Sequence, residues 1–268
     1  MNSTGGVSPD GPYREEFSMP SVLAYHRPES LDEAQKLASQ MNTVLIGGGT
    51  LVIPEVLSNP TNEAVIVDLQ AVGLSGVSSE LTDGQNSVKV GAMTRLSDLI
   101  ENQEIPTLLQ ELSTKELPST LRTQATTGGT IADRNGESIL LSGFLTLGAD
   151  IEINGADWIP LSQLLQSKSI EGIITAVKFQ VPSPQSKTSF QSVGRTPMDT
   201  PIVSAIGISG SKGNPQIALT GVAEVPVLIN EVADLENLKP KSDFRGTSNY
   251  RKHLASILYF RVAKEVRI

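Results

Sequence analysis

Ile46-Gly47-Gly48-Gly49-Thr50-Leu51-Val52-Ile53-Pro54 is the stretch on which the reading of this chain turns, and Thr126-Thr127-Gly128-Gly129-Thr130-Ile131-Ala132 is its counterpart further along. Both combine glycines with hydroxyl side chains and carry no charge. Glycine tolerates positive φ and lets the backbone approach an anion, so successive N–H groups converge on its oxygens while Thr hydroxyls add donors. Two such stretches together can clamp a diphosphate from both sides. Either one alone is more often a plain strand-ending turn. Neither is a Gly-x-x-x-x-Gly-Lys-Ser/Thr loop nor a Gly-x-Gly-x-x-Gly between a strand and a helix, which disfavours a P-loop NTPase and a Rossmann dehydrogenase.

Composition narrows the field further. The 268 residues, 38% hydrophobic and 19% charged, suffice for one large domain or two or three small subdomains with real cores. No run approaches the roughly 18 apolar residues of a membrane helix, and residues 1–19 lack the apolar segment of a signal peptide, so they read as a disordered tail and the cytoplasm as the default location. A net charge of −8 argues against nucleic-acid binding by phosphate neutralisation. Cys is absent and the only histidines are His26 and His253, far apart. The chain therefore offers no thiolate for an iron–sulfur cluster, no Cys nucleophile and no cluster of soft metal ligands. A Ser-His-Asp hydrolase is disfavoured too, since no Gly-x-Ser-x-Gly elbow accompanies either histidine. A flavin dinucleotide, held through its diphosphate, suits what remains.

Local patterns give a provisional map. Ser30-Leu31-Asp32-Glu33 is a capping box, and Leu31, Ala34, Ala38 and Met41 follow on one helical face to about Asn42. Thr43–Ile46 is a β-branched strand that delivers the first glycine stretch, and Ala64–Leu69 and Ser87–Ala92 are further strands. Thr94 to about Lys115 is helical, with Leu96, Leu99 and Ile100 on one side and Pro106 opening a second helix. Beyond the second glycine stretch come an apolar helix, Ile139–Leu147, a strand, Ala149–Ile153, and a short helix over Trp158–Leu165. From Gly172 onward Ile173–Val181, Thr188–Val193, Ile202–Ile208 and Gln216–Val222 read as one antiparallel sheet, split by turns such as Pro182-Ser183-Pro184 and Ser209-Gly210-Ser211. The chain closes on a helix over Thr247–Val266. Tyr250, Leu254, Ile257 and Leu258 form its apolar stripe, and Arg251, Lys252, Arg261 and Lys264 its solvated basic face. Arg195 and Asp199 read as a turn-stabilising ion pair.

The order of these landmarks resembles the FAD-binding subunit of the molybdenum hydroxylases, a family that includes the medium subunit of carbon monoxide dehydrogenase and the flavin domain of xanthine dehydrogenase. The resemblance rests on Tyr25-His26-Arg27-Pro28-Glu29-Ser30-Leu31-Asp32-Glu33-Ala34 and the two glycine stretches. Gly194–Val203, Leu219-Thr220-Gly221-Val222-Ala223 and Asp243–Arg251 extend it, so that it spans about Tyr25 to Arg261. It implies an α+β fold of the PCMH-type, vanillyl-alcohol-oxidase-like kind. Two FAD-binding subdomains, over 20–78 and 79–182, would be followed by a small, shortened C-terminal α+β subdomain over 183–268, similar to that of carbon monoxide dehydrogenase flavoproteins. By motif matching, Ile46, Gly47, Gly48, Gly49, Thr50, Leu51 and Val52, with Thr126, Thr127, Gly128, Gly129 and Thr130, would wrap the FAD diphosphate and ribityl chain. Ile173 or Ile174 would lie against the flavin ring region.

Three departures accompany the resemblance. Where relatives often carry Ser-Pro-x-x-Asp, this chain has Asn135-Gly136-Glu137-Ser138-Ile139, which leaves Ser138 or Glu137 to substitute for the acid. Leu51 stands where an acidic or hydroxyl residue is common, and the segment from Val227 to Asp243 is short. The function implied is an FAD-dependent oxidoreductase subunit of the xanthine or carbon monoxide dehydrogenase type, with no catalytic side chain and no metal of its own. It would take electrons from an iron–sulfur small subunit, beside a molybdopterin large subunit, and pass them to NAD or a quinone. A stand-alone FAD oxidoreductase and a flavin-less assembly scaffold are the alternatives.

Overall fold

The computed structural model describes residues 22–58, 63–82, 85–196, 199–209 and 215–267. The tail expected over 1–19 lies outside them, as does most of the turn expected at Ser209-Gly210-Ser211. Three strands build the first layer, the last two rich in β-branched residues: β1 (Val22–His26), β2 (Thr43–Ile46) and β3 (Ala64–Asp68). They form a parallel sheet in the order β1-β3-β2, so all three carboxyl ends point the same way. Between β1 and β2 runs α1 (Leu31–Ala38), whose cap is the one expected. Ser30 Oγ accepts from the Glu33 amide at 3.3 Å and the Glu33 carboxylate accepts from the Glu29 amide at 3.2 Å. The helix stops before Asn42, which sits at φ 60°, and Met41, expected on the buried face, is 87% exposed. Val52, read as loop, instead opens α2 (Val52–Ser58), with Pro54 in the first turn, where a missing N–H costs nothing.

A second, antiparallel sheet has the order β4-β5-β8-β6-β7, from β4 (Val77–Thr82), β5 (Gln85–Gly91), β6 (Asp150–Ile153), β7 (Asp157–Pro160) and β8 (Ile174–Gln180). Two expectations change here. Trp158 belongs to strand β7, not to a helix; the Asn154-Gly155 pair, at φ 55° and 75°, turns the chain back onto β6, and α8 (Leu161–Gln166) begins only after Pro160. Strand β8, read as the first strand of the C-terminal sheet, pairs instead with β5 and β6.

The helices packed on this sheet are α3 (Leu96–Glu101), α4 (Thr107–Glu116), the short α5 (Ser119–Arg122), α6 (Thr127–Asp133) and α7 (Ile139–Thr146). The second glycine stretch is thus the first turn of α6 rather than a free loop. Every residue of α7 is buried. A Cβ at Gly143 would come within 2.4 Å of Leu112 Cδ1, which marks how closely α7 and α4 approach.

The third sheet is antiparallel, in the order β12-β11-β10-β9, from β9 (Thr188–Val193), β10 (Val203–Ile208), β11 (Gln216–Thr220) and β12 (Val227–Ile229). On it lies α10 (Ser248–Glu265), capped by Thr247, after the short α9 (Asp234–Asn237). Leu254 and Leu258 of the expected stripe are buried, and Tyr250 is 42% exposed. Arg251, assigned to the solvated face, is the clear reversal. It is 97% shielded and donates from Nη1 to the carbonyls of Ile202 (2.7 Å) and Gly221 (3.1 Å) and from Nη2 to Asp243 Oδ2 (2.6 Å). Burial of a guanidinium is tolerated because carbonyls and a carboxylate replace its water. Arg195 Nε and Asp199 Oδ2 do pair, at 3.5 Å.

Candidate flavin site

The carboxyl ends of the parallel strands converge on a cleft of about 340 Å³. Arg27 follows β1, Gly47 and Gly48 follow β2, and Gln70 lies in the short 3-10 helix after β3. Ligands of open parallel sheets bind at such strand ends. The opposite wall comes from the second sheet and its helices: Ser75, Met93, Arg95, Gln124 and Thr126. The two glycine stretches meet across the cleft. A Cβ on Gly48 would lie 1.9 Å from the Gln124 carbonyl oxygen, and one on Gly47 would lie 2.7 Å from Thr126 Oγ1. Glycine is required at both because backbone passes against backbone or against the helix cap.

The two stretches do not contribute alike. Among the described residues no acceptor meets the amides of Gly47, Gly48, Gly49 and Thr50, and Gly49 lies at φ 69°. These amides are available to an anion. In the second stretch the Thr127 amide donates to Thr94 O (2.9 Å) and the Gly128 amide to Ala92 O (2.7 Å). The Gly129 amide donates to Thr126 Oγ1 (3.2 Å) and that of Thr130 to Thr126 O (3.0 Å). What this side presents to the cleft is the Thr126 side chain, not a nest of amides. Gly128 serves packing, since a Cβ there would come within 2.7 Å of that of Ala92.

Of the residues singled out from sequence, Gly47, Gly48 and Thr126 line the cleft. Ile46 is buried at the end of β2, while Gly49, Thr50, Leu51 and Val52 lead away from it into α2. Leu51 is 53% exposed. Ile173 is buried in the cluster that also holds Met93, which itself faces the cleft. Ser138 caps α7, accepting from the Leu141 amide at 3.0 Å, and shares a hydrogen bond with Glu116. The Glu116 carboxylate accepts from the Leu140 amide at 2.8 Å. Burial pushes its pKa up, against the hydrogen bonds from Ser138, Leu140 and Ile139 that favour the charged form.

Sequence reasoning missed Arg27 and Arg95, and with them Asp68. The last is almost fully buried at the end of β3 and accepts from Tyr25 Oη at 2.5 Å and from the Gln70 amide at 2.9 Å. Its carboxylate raises the Tyr25 pKa, chiefly through that hydrogen bond.

A second cavity, of about 940 Å³, lies between the α6–α7 connection and the third sheet. Beside it Arg245 pairs with Glu137 and Asp243, and Asp243 also binds Arg251. The hydrogen bond from Arg251 above all holds the Asp243 carboxyl well below the usual carboxylate range. A carboxyl with a lowered folded pKa stabilises fully above its unfolded pKa and loses that contribution as pH falls through the folded value. The network should therefore hold from neutral pH down to about pH 4 and weaken only in stronger acid. Thermal melts from pH 7 to pH 2 should show a shallower acid limb for Asp243→Asn than for the native protein, and coincident limbs would exclude Asp243 as a source.

The family described as the FAD binding domain in molybdopterin dehydrogenase matches residues 16–183, more than half of the chain. The chain belongs to this family. Its cofactor is FAD, and the residues of the cleft fit that group: a hollow at the strand ends, unpartnered amides on one wall, a hydroxyl on the other and two guanidinium groups. Among relatives of this family member are the uncharacterized protein YgfM of Escherichia coli, 24% identical over 252 residues (88% of this chain, 93% of the relative), and the glyceraldehyde dehydrogenase medium chain of Sulfolobus acidocaldarius. The latter is 25% identical over 283 residues (92% and 99%). Two solved structures share the fold: the carbon monoxide dehydrogenase of Hydrogenophaga pseudoflava (TM-score 0.82, 20% identity, 92% of this chain and 98% of that one) and the quinoline 2-oxidoreductase of Pseudomonas putida (0.79, 22%, 92% and 97%). The α+β flavin-subunit fold implied by the landmarks is the fold observed. No helix among the described residues is long and apolar enough to cross a membrane.

Proposed function

We propose that this chain is the FAD-carrying electron-transfer subunit of a cytoplasmic molybdenum hydroxylase complex. An iron–sulfur small subunit hands it electrons, a molybdopterin large subunit oxidises the substrate, and NAD or a quinone is the final acceptor. The observation that carries this reading is the cleft between the two glycine stretches, with free amides on one wall. Family membership and the medium-chain relative support it, as does a chain without Cys, which needs partner chains for iron–sulfur chemistry.

FAD, when bound, supplies hydride and electron transfer through its own ring system, so the protein contributes binding, orientation and local electrostatics. In this assignment the amides from Gly47 to Thr50 receive the diphosphate and Thr126 meets it from the other wall. Ile46, Thr127, Gly128 and Ile173 are buried and hold those groups in place from behind, Thr130 continues α6 beside them, and Leu51, Val52 and Ser138 stand away from the cleft at the start of α2 and the cap of α7. Subdomain limits at 78/79 and 182/183 go with the proposal; the first falls within β4 and the second in the connection from β8 to β9, so limited proteolysis should nick the chain near 182/183 before any sheet is cut.

Gly129→Leu tests the site. A Cβ there would come within 3.0 Å of Thr126 Oγ1, the hydroxyl that faces the cleft, so the leucine crowds that hydroxyl from an exposed position while leaving the core alone. Flavin affinity should fall at least about tenfold with an unchanged circular dichroism melt, and full flavin occupancy in the variant would refute the assignment. Electron flow is tested on the purified complex. Reducing substrate should bleach the flavin absorbance and NAD or a quinone should restore it. A colourless complex that ignores added FAD would favour the scaffold alternative.

A further inference from the structure

The glycine stretches are uncharged, yet the cleft they frame holds two guanidinium groups, and neither is fully neutralised by its neighbours among the described residues. Building on the diphosphate reading above, we infer that Arg95 and Arg27 form a split cationic clamp that makes the site selective for a diphosphate-bearing flavin over one without phosphate.

The two arginines come from opposite walls. Arg27 leaves the carboxyl end of β1. Arg95 stands directly before α3, its backbone fixed by an antiparallel bridge to Thr126 and by the neighbouring hydrogen bonds Leu96 N to Ala125 O (3.0 Å) and Thr127 N to Thr94 O (2.9 Å). The same contacts that seat Thr126 thus seat Arg95. Among the described residues no carboxylate lies within ion-pair distance of Arg95, whereas Arg27 Nε stands 4.0 Å from Asp68 and its Nη2 lies 3.5 Å from Gln70 Oε1. Asp68 is already engaged by Tyr25 and by the Gln70 amide, so it orients Arg27 without neutralising it fully.

Net charge makes these cations matter. A chain at −8 repels an anion at long range, and beyond a Debye length of about 8 Å that repulsion is screened at physiological salt. Within the cleft, the local field decides. Amides from Gly47 to Thr50 give direction to the phosphate oxygens, and a guanidinium on each side matches the charge that each phosphate of the bridge carries. Riboflavin has the ring and ribityl chain but no phosphate, which makes it the control.

The test uses protein stripped of flavin and titrated with FAD and with riboflavin at low and high salt, followed by flavin fluorescence. The expected result for Arg95→Gln is a dissociation constant for FAD raised by about tenfold to a hundredfold, with that for riboflavin unchanged. Arg95→Lys should recover part of the loss. In Arg27→Gln/Arg95→Gln the salt dependence of FAD binding should flatten. If native protein prefers FAD to riboflavin and Arg95→Gln keeps that preference, the clamp is refuted and the diphosphate site survives. Equal losses for both flavins would assign Arg95 to the ring end and also overturn the clamp. If native protein binds FAD no better than riboflavin, the diphosphate reading falls, and the clamp with it.

Discussion

Gly48→Val should abolish flavin binding and weaken the join between the first sheet and the α5–α6 segment. The added Cβ would sit 1.9 Å from the Gln124 carbonyl oxygen and 2.5 Å from its carbon. Those are backbone atoms, fixed by Gln124 N to Leu121 O (3.0 Å) and Ala125 N to Leu121 O (2.8 Å), so no side chain can rotate away to make room. The first stretch has to move, and its free amides move with it. Overpacking of this kind costs about 1–3 kcal/mol, while loss of the amide cradle should reduce FAD affinity by at least about a hundredfold. Gly129→Leu should show the flavin loss alone; Gly48→Val should show it together with a lower melting temperature. A Gly48→Val protein that melts like the native one and purifies yellow would rule out the contact as described.

Arg251→Met should destabilise the third sheet and its helix while leaving the flavin cleft alone. The methionine fills much of the volume but abandons the carbonyls of Ile202 and Gly221 and half of the Asp243 pairing, in a site 97% shielded from water. Removing one partner of a buried polar network costs far more than the network contributes relative to an apolar core, here about 3 kcal/mol. In a chain of this size that lowers the melting temperature by roughly 6–12 °C. Since Arg251 does not line the cleft, FAD affinity measured below the transition should stay within about twofold. An unchanged calorimetric melt would show that water enters to satisfy the carbonyls.

Several features were legible in the chain because their causes are local. Ser30 and Glu33 cap α1 with side chains three residues apart. The β-branched Thr43–Ile46 and the glycines after it set a strand and its exit, and the apolar run from Ile139 makes a helix buried all round. Thr247 capping α10 is of the same kind. The order of motifs also carried the family, since each motif reflects a short-range backbone requirement.

What the sequence did not disclose depends on partners far away along the chain. Strand β8 looks the same whether it joins the second or the third sheet, and only its pairing with β5 and β6 settles the matter. Arg251 on a helix with other basic residues reads as solvated until Gly221, at φ 73°, and Ile202 bring their carbonyls over it. The amides of Thr127 and Gly128 look free until Thr94 and Ala92 accept them. Arg27 and Arg95, on separate layers, become one charged site only when the strand ends close against the α5–α6 segment. Hydrogen bonds within a turn are dictated by neighbouring residues; the field inside a cleft is a sum over groups that only folding brings together.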